Sequence, residues 1–260
     1  MKNTALIASF LILSSATTFA GAGTPSFQET LASAKESSEW KCRVTLYGWA
    51  EGLSGTTGVK GFTAPVDANF RDIVDDLNFG AMGAIEISNG RGWGFAADMV
   101  YADLGASQIG PLGGTTKVDM SQFLGNFVFA YEAYKSEPVS IDVYAGVRVN
   151  SLDLDLSFRG PGNVLVLATS GSETWVDPII GVRFQAELPN HFFLRALGDV
   201  GGFAVSSQFT WQAMGAIGYH LSDMATLLLG YRAIGTDYKN GGFTYDLVSS
   251  GLLLGYQYTF

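Results

Sequence analysis

From Trp40 onward, large apolar residues recur at every second position in segments of ten or more residues. In VSIDVYAGVRVN, Val139, Ile141, Val143, Ala145, Val147 and Val149 fall on one side, opposite Ser140, Asp142, Tyr144, Gly146, Arg148 and Asn150. ETWVDPIIGVRFQAEL repeats this, with Val176, Pro178, Ile180, Val182, Phe184, Ala186 and Leu188 facing away from Glu173, Asp177, Arg183, Gln185 and Glu187. Side chains alternate across a strand with a period of two, so each segment predicts a strand with one greasy and one polar face.

Tight turns are expected at SNGRG (88–92), YKSEP (134–138), LPNH (188–191) and LSDM (221–224). They alternate with longer or glycine-rich links near 51–77, 105–115, 156–172, 204–207 and 236–246. Between them lie about ten strands, near 41–50, 78–88, 92–105, 115–134, 139–155, 173–188, 192–204, 207–221, 225–236 and 247–260. Eight or twelve stay open, because VKGFTAPVDANF can pair as a further strand or hairpin. An even number returns both ends to one side, and short turns alternating with long loops suit an outer-membrane barrel with periplasmic termini.

Periodicity alone does not separate such a barrel from a soluble sandwich; composition does. The chain is 47% hydrophobic and 15% charged, against about a quarter charged in an ordinary soluble domain. Beyond the first residues no stretch approaches the ~20 apolar residues of a spanning helix. A closed barrel is the other structure that satisfies every backbone group inside lipid. The expected fold is therefore all-β, a closed antiparallel transmembrane β-barrel over 41–260. MKNTALIASFLILSSATTFA reads as a secretory signal peptide over 1–20, with a second cleavage position at Ala22, and 21–40 as a flexible periplasmic lead-in. The lone Cys42 has no disulfide partner and is expected to be a small buried or lipid-facing group. Trp49, Trp93, Tyr101, Tyr131, Trp211, Tyr219, Tyr231 and Tyr258 are expected in interfacial girdles. The net charge of −9 excludes a nucleic-acid partner.

The closing segment LVSSGLLLGYQYTF resembles the assembly signal of Gram-negative outer-membrane proteins. That resemblance implies recognition of Leu254, Tyr256, Tyr258 and Phe260 by the barrel-assembly machinery. TLYGWAEGLSG, PVDANFRDIVDDLNFGAMGAIE, WGFAADMVYADL, WVDPIIGVRF, GDVGGFAVSSQFTWQAMGAIGYHLSD and LLLGYRAIGTDY resemble a family of small Gram-negative outer-membrane β-barrel proteins without an established biochemical role. They cover nearly all of the chain after Trp40, and imply the fold and the outer-membrane location but no mechanism. Ala233 and Ile234 stand where bulkier residues are expected.

Arginine or lysine on the lipid face costs about 2–4 kcal/mol near the midplane. Alternation accordingly places Arg43, Glu86, Asp98, Glu132, Asp142, Arg148, Asp177, Arg183, Glu187, Arg195, Asp199 and Arg232 inside, as a lumen charge network. Ion pairs filling a blocked lumen, or a narrow channel of weak selectivity, both fit; ten strands lie near the filled end of the range. Asp67, Asp72, Asp75 and Asp76 lack the regular spacing of a calcium loop. A capped helical turn is expected there, with Phe70, Ile73, Val74 and Leu77 packed into the barrel mouth. His191 and His220 lie in or beside tight turns, without the spacing of a catalytic or metal motif. The glycines of GDVGGF precede no helix that would make them a phosphate loop, and a bend or close strand approach is expected instead. A structural or surface role without catalysis, cofactor or metal is expected, with a lipid- or envelope-modifying barrel enzyme as the alternative of another class. Expected partners are outer-membrane lipid and lipopolysaccharide, around a monomer or a weakly associated assembly.

Overall fold

The computed structural model describes residues 40–59, 62–109, 114–161 and 164–260. The expected signal peptide, and the lead-in apart from Trp40, lie outside them. Among the described residues, eleven strands and one short helix follow in order: β1 (Lys41–Val59), β2 (Phe62–Ala68), α1 (Phe70–Asp75), β3 (Leu77–Ser88), β4 (Trp93–Ile109), β5 (Thr115–Ser136), β6 (Val139–Arg159), β7 (Leu165–Glu187), β8 (Phe192–Gly201), β9 (Phe209–His220), β10 (Ala225–Asn240) and β11 (Phe243–Thr259). All pairings are antiparallel, and β11 pairs with β1 to close a ring of ten strands. β2 stands outside that ring. It pairs with β1 over Leu53–Val59, above the Lys41–Leu46 stretch that pairs with β3.

Register fixes the geometry of the ring. Following paired residues once around from Arg43 leads through Glu86, Ala96, Val128, Gly146, Ile179, Gly201, Thr210, Thr236 and Leu247 to Gly55. The path returns to β1 twelve residues further along. Twelve residues at ~3.3 Å set against ten strands at ~4.8 Å tilt the strands about 40° from the axis.

Outward positions form the apolar belt that the alternation predicts. Leu46, Val143, Val147, Ile180, Val182, Leu229, Leu252 and Leu254 are all exposed. Aromatic pairs mark the tight-turn margin: Trp93 with Tyr131, Phe192 with Tyr219, and Tyr258 with Phe260, their centroids 4.7–4.8 Å apart. Phe79 and Tyr101, 6.0 Å apart, mark the other margin. Tyr231 is exposed within the belt, and Trp211 is half-buried. Trp49 departs from the girdle expectation: it is buried inside the barrel, because it shares strand parity with Arg43. Cys42 is half-buried.

The far rim corrects several expected loops. Residues 51–59 continue β1, and most of 156–172 and 236–246 is strand. β5, β6 and β7 run 22, 21 and 23 residues, about twice the ~9–11 that cross a bilayer. β8, by contrast, has 10 residues. It stops at Gly201, where an added Cβ would meet the Pro178 carbonyl, and Gly202 turns with φ +81°. α1 forms as expected, started by a capping box between Asn69 and Asp72. Its apolar side does not pack into the mouth as a whole. Ile73 is buried while Phe70, Val74 and Leu77 are exposed, since a six-residue helix presents only one position to β1.

Candidate functional site

The interior is built in layers. At the tight-turn end a cavity of about 450 Å³ opens between charged side chains, among them Lys41, Lys135, Asp142, Arg183 and Glu187. Its floor is an ion-pair chain. Glu86 accepts from Arg43 at 2.7 Å and from Arg183 at 3.0 Å, and Arg183 also donates to Asp142 at 2.6 and 2.8 Å. Arg195 is buried beside them without a direct carboxylate contact. It donates to the Gln185 and Gln257 amide oxygens at 3.0–3.3 Å and lies over the Phe193 ring.

A second layer crosses the barrel. Arg148 of β6 donates to Asp199 of β8 at 2.7 Å, to Asn126 of β5 at 2.8 Å and to Thr210 of β9 at 2.8 Å. Arg232 of β10 donates to the Tyr47 hydroxyl of β1 at 3.0 Å and lies 3.2 Å from Asp98 of β4. The Gln212 amide oxygen joins the halves, 2.8 Å from Arg232 and 3.5 Å from Arg148. Tyr47 and Tyr144 donate to Asp98 and Asp199, and Trp49 lies under the Arg232 guanidinium at 5.2 Å. Seven ring strands contribute. The side chains of Arg148, Asp199 and Arg232 are 0%, 1% and 1% exposed. Charges so dehydrated are tolerable only when paired and hydrogen-bonded.

Beyond this layer buried apolar groups mix with buried polar ones, among them Asn150, Thr236 and Ser249. Trp49, Val100, Leu124, Ile234 and Leu253 pack together. At the far end Trp175 stacks on Tyr238, centroids 4.2 Å apart and planes at 7°, and packs against Phe243 and Tyr245. Tyr238 donates to Glu173 at 3.2 Å, and Gln122 donates to the Tyr245 hydroxyl at 2.9 Å.

The twelve charged residues expected in the lumen thus divide. Arg43, Glu86, Asp142 and Arg183 form the lower chain; Asp98, Arg148, Asp199 and Arg232 the upper layer. Arg195 is held by amides. Asp177 is fully buried but stands apart from both layers, accepting from Ser207 N and Oγ at 2.7 and 2.6 Å. Glu132 and Glu187 stay at the open mouth, beside Lys135 at 3.1 Å and His220 at 3.5 Å. Tyr47, Asn126, Tyr144, Thr210 and Gln212 were absent from the expected set. Their strand parity points inward, but as uncharged residues they carry no charge penalty that forces them there. On β11, Leu254 and Tyr256 face outward and exposed, Tyr258 packs on Phe260, and the Phe260 amide donates to the Cys42 carbonyl at 2.8 Å.

Both histidines lie at the tight-turn end, His191 at φ +67° and His220 hydrogen-bonded to Thr226. Among the described residues, no group of three or more His, Cys, Asp or Glu side chains is placed to hold a metal ion.

No family model matches the chain, and no curated protein matches it. Solved structures do. The outer-membrane protease OmpT from Escherichia coli aligns over 85% of this chain and 96% of its own, with a TM-score of 0.51 at 9% identity. The fold is that of an outer-membrane β-barrel. Neisserial surface protein A aligns over 85% of this chain and 97% of its own (TM-score 0.35, 12% identity). The attachment invasion locus protein Ail of Yersinia pestis aligns over 85% and 98% (TM-score 0.35, 11% identity). At such identities the likeness speaks to fold alone. The membrane setting follows from the chain itself: a closed ring with a greasy belt, aromatic margins and a charged interior suits a bilayer, and it is the architecture that outer membranes hold.

Proposed function

We propose that this is an integral outer-membrane barrel whose lumen is sealed by its own side chains, serving a structural or surface role without catalysis. The observation that carries this is the Arg148–Asp199 and Arg232–Asp98 layer, which spans the ring at 0–1% exposure of both arginines. A conducting lumen would hydrate those guanidinium groups. The tight-turn end, where β1 begins and β11 ends, is periplasmic, and the long β5–β7 wall faces the outside. With ~2.5 Å of rise per tilted residue, the dozen extra residues of each strand carry that wall roughly 30 Å beyond the bilayer. Above the belt its outer face turns polar, with Ser121 donating to Asp103 and Ser151 paired to Thr174. Such a wall suits contact with the surroundings better than solute passage.

Liposome swelling tests the seal. Vesicles carrying the purified protein should swell in small sugars no faster than empty vesicles. Swelling at a porin-like rate would reject the sealed lumen in favour of a small channel.

A further inference from the structure

The wall of the barrel is notched where β8 and β9 end. β7 pairs with β8 only from Ile179 downward, and β9 stops opposite Asp237 of β10. The connection 202–208 therefore lies level with the belt's upper margin, while β7 continues far above it. Outward positions of this hairpin are apolar along its length: Leu194 and Val200 on β8, Phe209 and Ile217 on β9, all exposed. The connection carries that face onward, with Phe203 and Val205 55% and 69% exposed.

Five of its seven backbone N–H groups, all but those of Phe203 and Ser206, donate within the protein. Irregular chain inside a bilayer must satisfy its polar groups within the protein. Gly202 N donates to the Pro178 carbonyl at 3.1 Å, Ala204 N to Ser207 at 3.0 Å, and Val205 N to Gly202 at 2.8 Å. Gln208 N donates to the Asp237 carbonyl at 2.8 Å. Ser206 Oγ donates to the Val176 carbonyl at 2.8 Å, and Ser207 gives both its N–H and its hydroxyl to the buried Asp177 carboxylate. Phe203 and Ala204 are held at φ +48° and +58°, a conformation that side chains disfavour. An ordinary aqueous loop needs neither this degree of internal satisfaction nor two exposed apolar side chains at its tip.

We infer that the 202–208 connection is embedded in the outer leaflet, with Phe203 and Val205 among acyl chains and Asp177–Ser207 as the latch that holds it there. Lipid covers it because its apolar face continues the belt of both flanking strands. This rests on the proposed membrane setting but not on the sealed lumen. The latch explains why a fully buried carboxylate sits outside both arginine layers: Asp177 serves the loop rather than the plug.

The test uses a spin label in the full-length protein in phospholipid vesicles, with Cys42→Ser removing the native thiol. Labels at Val205→Cys and, independently, Phe203→Cys are read for collision with oxygen, which concentrates in lipid, and with a water-soluble nickel chelate. Leu254→Cys in the belt and Val166→Cys on the β6–β7 hairpin are the references. Oxygen collisions at Val205 and Phe203 should exceed nickel collisions several-fold, as at Leu254. Nickel dominance as at Val166 would overturn the inference, and so would low accessibility to both reagents, the mark of a protein-covered loop. If Leu254 itself read as aqueous, the membrane setting would fail, not the loop assignment alone.

Discussion

Removing Asp199 isolates the charge on which the upper layer depends. In Asp199→Ala, Arg148 loses its carboxylate at 2.7 Å and keeps only Asn126 and Thr210 as near partners, neither of them charged. Its side chain is 0% exposed, so water cannot replace the lost charge without opening the packing. Breaking a buried pair from one side costs about 3–5 kcal/mol. The Tyr144 hydroxyl, which donates to the other Asp199 oxygen at 3.0 Å, adds about 1 kcal/mol when orphaned. A loss of roughly 4–6 kcal/mol is expected. Urea unfolding of the protein in lipid vesicles, followed by heat-modifiable gel mobility, measures it. Arg148→Met should cost a similar amount, and the double variant far less than the two together, with a coupling of about 2 kcal/mol or more. A loss under about 1 kcal/mol for Asp199→Ala would mean that the layer is already hydrated. The seal would then be refuted along with the burial.

The lipid-facing assignment has its own test in Ile180→Arg, on an outward β7 position that is 56% exposed. In water this change is nearly neutral; in the bilayer it should cost about 2–4 kcal/mol by the same unfolding assay, and no loss would reject the belt. Phe260→Ala separates assembly from stability, because Phe260 is exposed and touches Tyr258 at the barrel margin. Cells should yield several-fold less folded barrel, while the barrel that forms unfolds within about 1 kcal/mol of wild type. An unchanged yield would remove the proposed recognition by the assembly machinery.

Alternation made the ring legible from sequence, because lipid outside and charge inside enforce one parity over each strand. VSIDVYAGVRVN places Arg148 inward and Val147 outward as the pattern requires. Parity also placed Trp49 inside with Arg43, and the girdle assignment failed there because it followed residue type. Strand ends at the rim were misjudged for a related reason. Beyond the bilayer no lipid enforces alternation, so SGSET in β7 and GLSGTTGV in β1 carry turn-like residues yet remain paired. Nor could the sequence tell which carboxylate meets which arginine. Asp177 lies opposite Arg148 in register, but Asp199, two strands from β6, takes the ion pair and Asp177 turns to Ser207. Partners across the lumen depend on the stagger of the whole ring, which no local pattern records.

Single-channel recording of the purified wild-type protein in a planar bilayer tests the sealed lumen most directly. Silent insertion, with membrane resistance unchanged after incorporation is verified, is the expected result. Discrete, voltage-persistent steps of porin size would contradict it, since ions could pass only where Arg148 and Arg232 are packed against Asp199, Asp98 and Gln212.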